Sequence, residues 1–361
     1  MAKPLRVIVW GPGGLGSICI RESQLLDEFE LVGVYAYSEA KNGVDAGTLI
    51  GVGPVGVAAS TDAAAVLALD ADCVLYTARD LSIFHTDDEI LSILAAGHNI
   101  VTALPYQNLH VTRPAEFVEK IETVCKEKGV VFHATGVNPD LIGERIVPDL
   151  TALVNKVDHL KVQEYWDVSY VEPLTLTVCG FGGSVEEARK SPVVAAISGN
   201  FVQQCFVSWQ ETSGVELDRV EVENDFGIAT EDLVTDAFTV AAGTVDRLTT
   251  RMVGYAAGSE KPCVTEEVNW IWSAGRPPEP DAIQGWVITI EGRPSISARI
   301  DMRADLATKE RLLESGNPAT EASYTAVVAT MLKGVVEVTR AEAGVLRPIP
   351  SPVRWKRDLL A

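Results

Sequence analysis

Apolar runs of strand length alternate with amphipathic stretches through roughly the first 150 residues. RVIVWG predicts a first strand, SICIRESQLL a helix and FELVGVYAY a second strand. AAAVLAL reads as a helix, DCVLYTA as a strand, DEILSILAAG as a helix closed by Gly97, and NIVTAL as the next strand. PAEFVEKIETVCKEKG is amphipathic and ends at Gly129, and VVFHATG is the strand after it. Strands alternating with helices of this length build βαβ units and a parallel sheet covered on both faces. The fold class expected here is α/β, with an N-terminal doubly wound Rossmann domain over 1–150.

Beyond about residue 155 the period shortens. HLKVQEYWDVSY, VELDRVEVENDF, TVDRLTTRMVGYAA, CVTEEVNWIWSA, WVITIEG and SISARID are β-branched and alternating. That pattern suits a mixed or antiparallel sheet. One helical stretch, VEEARKSPVVAAISGNFVQQCFVSW, interrupts them. A C-terminal α+β domain over 151–317 is expected, with helices over about 318–345 packing back on the first domain.

Length supports this division, because 361 residues exceed what one ordinary core organises. No run approaches the about 18 uninterrupted apolar residues of a membrane span, and RVIVWG follows the N-terminus too closely for an export signal. A cytoplasmic protein is the expectation. A formal net charge of −20 argues against nucleic acid and against an anionic membrane surface. Six scattered cysteines and five histidines show no metal-ligand spacing, so no metal is expected.

The candidate chemistry begins at WGPGGLG. Gly11, Gly13 and Gly16 give G-x-G-x-x-G between a predicted strand and helix. In that setting the backbone of Gly11, Pro12, Gly13, Gly14, Leu15 and Gly16 can approach a pyrophosphate at a helix N-terminus. NAD-specific folds place an acid at the tip of the second strand. That position falls on Ala36 and Tyr37, with Glu39 nearby, whereas Ser38 and Lys41 offer a hydroxyl and a cation for a 2′-phosphate. NADP(H) is therefore the preferred cofactor, with NAD(H) as the alternative. The nicotinamide belongs above the carboxyl ends of the next two central strands, at YTARD and TALPYQ. Backbone groups of Thr77, Ala78, Ala103 and Leu104 are the expected floor.

Four stretches in order, VIVWGPGGLG, YSEAKNGVDAG, ATGVNPDLIGE and EYWDVSYVEPLTLTVCGFGG, resemble the dihydrodipicolinate-reductase-like oxidoreductases. The match is to the branch of 2,4-diaminopentanoate dehydrogenase and the native amine dehydrogenases. The resemblance implies an NAD(P)-dependent enzyme whose C-terminal sheet forms part of a homodimer interface. Such enzymes interconvert an amine with a ketone or aldehyde plus ammonia. It also implies a glutamate just after the strand matching NIVTAL, credited with handling ammonia. Here Pro105, Tyr106 and Gln107 occupy that stretch, and no carboxylate occurs between Glu89 and Glu116. Asn138 and Pro139 match the turn that shapes the cleft, and Asn138 is a candidate cofactor or substrate contact.

Three side chains are candidates for the proton or the ammonium. Tyr106 follows the strand beside the expected nicotinamide. His133 lies on the next strand, with a pKa range suited to neutral acid–base work. Asp167 belongs to a polar set with Glu164, Ser169 and Tyr170, and alternation puts Glu164 on the opposite face from Asp167 and Ser169. Each also has a packing reading: a pocket wall, a backbone-satisfied histidine, and a strand-end acid. Trp166, Trp209, Trp270, Trp272 and Trp286 either wall an apolar pocket or pack a core. Glu144 suits a helix start. Three functions stay open for a small-molecule substrate: amine-dehydrogenase-like chemistry; reduction of a carbonyl, imine or C=C bond without ammonia; and non-catalytic dinucleotide sensing.

Overall fold

The computed structural model describes residues 3–78, 85–169, 171–192, 194, 203–276, 284–302 and 322–347. They fall into two units, one within 1–141 and 322–347, the other within 142–302. The first unit runs β1 (Leu5–Trp10), α1 (Gly14–Leu25), β2 (Phe29–Tyr35), α2 (Ala46–Leu49), β3 (Ala59–Ser60) and α3 (Ala63–Leu67). It continues through β4 (Cys73–Tyr76), α4 (Asp87–Ala95), β5 (Ile100–Thr102), α5 (Leu109–Thr112), α6 (Ala115–Lys128) and β6 (Val131–Ala134). A helical segment, Val137–Ile146, broken at Asn138, leads into α7 (Val147–Thr151).

The second unit holds β7 (Lys156–Asp167), α8 (Pro173–Val178), α9 (Val185–Arg189), α10 (Gln203–Ser213) and β8 (Leu217–Ile228). The strands β9 (Leu233–Val234), β10 (Thr239–Val240), β11 (Val245–Ala256), β12 (Pro262–Ile271), β13 (Gly285–Arg293) and β14 (Ile296–Asp301) follow. The chain then returns to the first unit with α11 (Ala322–Val338) and β15 (Gly344–Leu346).

Among the described residues the first unit has a seven-stranded sheet in the order β15-β6-β5-β4-β1-β2-β3, every pair parallel. Alternation along each strand feeds two cores. Val7, Val9, Leu75, Val101 and Val131 face α1 and the α11 side chains Val328, Met331, Leu332 and Val335. Ile8, Trp10, Val74, Ile100 and Phe132 face α4 and α6, through Ile90, Leu94, Ile121 and Cys125. Strand order reverses between β1 and β4, which opens a crevice at their carboxyl ends.

The second unit's larger sheet runs β14-β13-β7-β12-β11-β8, with β7 parallel to β12 and the other neighbours antiparallel. It is the mixed sheet expected from the alternating stretches. One expectation changes at the end of the chain. The helix predicted through Gly344 stops at Val338, and 344–346 add a strand beside β6. Three residues are too few to show a period of two, so the pattern hid them. Tyr170, and residues 193 and 195–202 of the predicted helical stretch, lie outside the described residues.

Candidate active site

The glycine turn joins β1 to α1 at the carboxyl edge of the parallel sheet. Gly11 has φ +95°, and a Cβ there would stand 3.2 Å from the Ala78 backbone. At Gly16 a Cβ would come within 2.2 Å of the Gly11 carbonyl oxygen and 2.7 Å of Thr77 Oγ1. A Cβ at Gly13 or Gly14 would meet nothing within 4 Å, so that side of the turn faces open space. Gly13 gives α1 no side-chain cap, and the first helical turn contains no acid. Uncapped N–H groups at an open helix N-terminus suit an anion, through hydrogen bonds and the helix dipole. A dinucleotide pyrophosphate therefore fits the residues present.

Thr77 closes the turn from the neighbouring strand. Its N–H donates to Trp10 O at 2.9 Å, and its Oγ1 donates to Gly11 O at 2.9 Å. Ala78 lies against Gly11, and the YTARD stretch is described only as far as Ala78.

Beyond β2 the Lys41 Nζ reaches the Pro12 carbonyl at 2.6 Å, which puts the cation at the glycine turn. The K-x-G-x-D-A-G run explains how. Asp45 Oδ1 accepts from Gly47, Thr48 and Val55 N–H groups, and its Oδ2 accepts from Gly56. Those bonds, from Val55 above all, hold its carboxyl below the ordinary carboxylate pKa. Asp45 thus caps α2 and folds the following loop, while the short helix Glu39–Lys41 sends Lys41 toward Pro12. Ser38, just ahead, is exposed.

Nearby acids are held by other groups. Glu39 accepts from Thr61 Oγ1 at 2.8 Å and from Asn42 Nδ2 at 3.2 Å. Glu89, on α4, accepts from the hydroxyls of Tyr37 and Tyr76 at 2.5 Å. Burial, reinforced by that carboxylate, raises both phenol pKa values. Trp10 stacks on Tyr35 and donates its Nε1 to Tyr37. Sequence reading missed Glu89, because the contact joins residues 52 positions apart.

Each proposed acid–base residue has a place inside the fold. Tyr106 is fully buried; its hydroxyl donates to Asp87 Oδ1 at 2.5 Å and lies 2.7 Å from Thr86 Oγ1. Arg113 lies 4.1 Å over its ring and bonds the same carboxylate. Burial first, then the bond to Asp87, pushes this phenol's pKa up. His133 is fully buried between β15 and α11. Its Nδ1 is 3.1 Å from the Leu346 carbonyl, which fixes a proton on Nδ1, and its Nε2 is 3.5 Å from Glu337. Asp167 accepts from Ser169 N–H and Oγ and from Ser273 N–H and Oγ, knotting the end of β7 to the end of β12. As placed, each of the three is engaged by neighbours within its own unit.

The remaining candidates are Ala103, half-buried after β5, and Asn138, largely buried at the break before the 137–146 helix. Thr102 Oγ1 accepts from Leu104 N–H and shapes that turn. Gln107 is a further polar residue of this loop. It is only 4 % exposed, and its Oε1 is buried with no hydrogen-bond partner among the described residues. An orphaned buried acceptor costs about 1–3 kcal/mol, so its persistence asks for a reason. In the second unit, Glu164 is buried and accepts from Trp286 Nε1 at 3.0 Å, on the face opposite Asp167. Trp166 and Trp270 meet edge to face, and Trp272 lies in the core.

A parallel sheet of this order, a glycine turn at its reversal point and a mixed second sheet define the two-domain fold of nicotinamide-dependent dehydrogenases. Among curated proteins, the chain is 25 % identical over 359 residues to an amine dehydrogenase of Streptomyces virginiae, covering 97 % of each chain. It is 24 % identical over 174 residues to the 2,4-diaminopentanoate dehydrogenase of Acetoanaerobium sticklandii, covering 46 % of this chain and 48 % of that one. Among solved structures, the amine dehydrogenase of Mycobacterium smegmatis aligns with TM-score 0.76 at 22 % identity, covering 98 % of both chains. No protein-family profile matches the chain. These relatives and neighbours are dehydrogenases, the fold is theirs, and they agree with the resemblance carried by the four sequence stretches.

Proposed function

We propose that the protein is an NAD(P)H-dependent oxidoreductase of the amine-dehydrogenase kind. It would convert a small ketone or aldehyde and ammonia to an amine, or run that reaction in reverse. The observation that carries this reading is similarity to a curated amine dehydrogenase along both units, 97 % of each chain, with the glycine turn open at its anion-binding side. When bound, the nicotinamide group supplies or accepts a hydride.

The chain's own residues would do the rest. The backbone of Gly11 through Gly16 holds the pyrophosphate at the N-terminus of α1, and Thr77 keeps that turn closed against β4. Thr77, Ala78, Ala103 and Asn138 flank the nicotinamide end. NADP(H) is the preferred cofactor in this proposal. Its support is Lys41 at Pro12, with Glu39 and Glu89 engaged by Thr61, Asn42, Tyr37 and Tyr76. Ser38 is the accompanying hydroxyl. Tyr106 belongs to the wall behind the β5 loop and not to proton transfer, because its hydroxyl is taken up by Asp87 and Thr86.

A second reading, reduction without ammonia, is favoured by the uncharged loop 103–108, where Gln107 is the buried polar side chain whose acceptor is unmet. NADPH and NADH oxidation measured with short ketones and aldehydes, with and without ammonium chloride, separates the two. Ammonium-dependent oxidation supports the first reading, and ammonium-independent oxidation the second. Binding of NADPH with no oxidation across the panel would leave only a sensor.

A further inference from the structure

We propose that Tyr37 is a stacking platform that holds the purine of the cofactor by its face alone, so that purines differing at their polar edge bind alike. The inference rests on the nicotinamide-dependent reading above and adds to it a selectivity for one end of the cofactor.

A surface tyrosine ordinarily keeps much of its side-chain freedom. Tyr37 does not. Its hydroxyl donates to Glu89 Oε2 at 2.5 Å and accepts from Trp10 Nε1 at 3.2 Å. The Tyr76 hydroxyl donates to the same Glu89 oxygen and holds that carboxylate in place. The Tyr37 ring stands edge to face with Tyr35, centroids 5.0 Å apart, and Tyr35 in turn stacks on Trp10. Residues of β1, β2, β4 and α4 thus fix a single ring. That ring is nevertheless 55 % exposed, and it is the one aromatic side chain open to that degree among the described residues. A ring tied at its hydroxyl and bare on its face is a preorganised surface for a flat partner.

The backbone says which partner. Gly11 N–H donates to Tyr35 O at 2.9 Å, so the end of β2 lies against the glycine turn two residues before Tyr37. Lys41, four residues after Tyr37, reaches the same turn at the Pro12 carbonyl. A cation there marks the side of the pyrophosphate on which a ribose 2′-phosphate belongs, and the purine is attached to that same ribose. The chemistry of the platform then sets its selectivity. The phenol donates its only proton to Glu89 and accepts from Trp10, so the ring offers the base its π-face. Every purine has such a face, whatever its exocyclic groups.

Dissociation constants read by fluorescence decide the matter for three probes. They are NADPH, its hypoxanthine analogue, and reduced nicotinamide mononucleotide, which carries no purine. Wild type should bind the first two within about twofold of each other. Tyr37→Leu keeps apolar bulk beside Tyr35 and removes the π-face. It should weaken both dinucleotides at least about fivefold and leave the mononucleotide unchanged. A wild type that separates the two purines by about tenfold or more reads their polar edge, and overturns the assignment without any variant. A variant that binds NADPH as wild type does overturns it too, as does one that loses all three probes in parallel, which would make Tyr37 a support of the whole site. Should Tyr37→Leu not fold, Tyr37→Phe, which keeps the ring and only loses its tie, should retain NADPH binding within about fivefold; a complete loss would put the binding in the hydroxyl and overturn the platform. Wild-type protein that binds neither NADPH nor NADH overturns the parent reading and this one with it.

Discussion

Lys41 and Gly16 act on the same few ångströms of backbone by different physics. Lys41 brings a cation to the Pro12 carbonyl, where it can also meet a phosphate. Charge-assisted bonds contribute about 1.5–3 kcal/mol, so Lys41→Ala should weaken NADPH binding by roughly tenfold or more while leaving NADH nearly unchanged. Parallel fluorescence titrations read the difference, and an equal loss for both cofactors would remove Lys41 from phosphate discrimination. Gly16 acts by having no side chain. Gly16→Ala forces a Cβ against the Gly11 carbonyl, and overpacking of that kind costs about 1–3 kcal/mol. Thermal melts should show the loss together with weaker binding of both cofactors. The glycines were legible in the sequence because spacing between a strand and a helix is a local signal. Tyr106, His133 and Asp167 were legible as positions only. What each hydroxyl, ring nitrogen or carboxylate bonds depends on Asp87, Leu346 and Ser273, which no local pattern connects to them.

The loop after β2 shows how an element can be built around one carboxylate. Asp45 gathers four backbone N–H groups, and its depressed pKa is the signature of that work. A carboxylate of this kind adds stability that is complete above its unfolded pKa, about 4, and is lost as pH falls through the lower folded value. Asp45→Ala should therefore melt below wild type at neutral pH, and the gap should close as the pH drops below about 4. A gap that stayed constant across that range would assign the effect to packing. At this scale the sequence showed the K-x-G-x-D-A-G run that begins at Lys41. It did not show that Gly47 lets the Gly53 carbonyl approach, since that contact closes only when the loop folds. Short elements such as β3 and β15 escaped for the same reason. Their pairing partners, β2 and β6, supply the order that two or three residues cannot encode.

Across the whole molecule, the two hydrophobic periods separated a parallel sheet from a mixed one, and both sheets are present. Periodicity could carry that much because the first unit's central strands are buried on both faces, whereas β7 and β13 are longer and alternate buried with less buried positions. Association is a matter for the surface. Edge strand β8 leaves Val220, Val222 and Ile228 exposed, which favours a homodimer formed through the second unit's sheet. Light scattering should give a mass near twice 38.8 kDa, and Val222→Lys should return it toward the monomer value. A monomeric wild type would remove the dimer from the account. The chemistry is tested most directly by the fate of nitrogen. The protein is incubated with NADPH, a panel of short ketones and aldehydes, and isotopically labelled ammonium, and the products are weighed by mass spectrometry. The account predicts an amine that carries the label and forms only when NADPH is present. An alcohol or other reduced product without the label would contradict it.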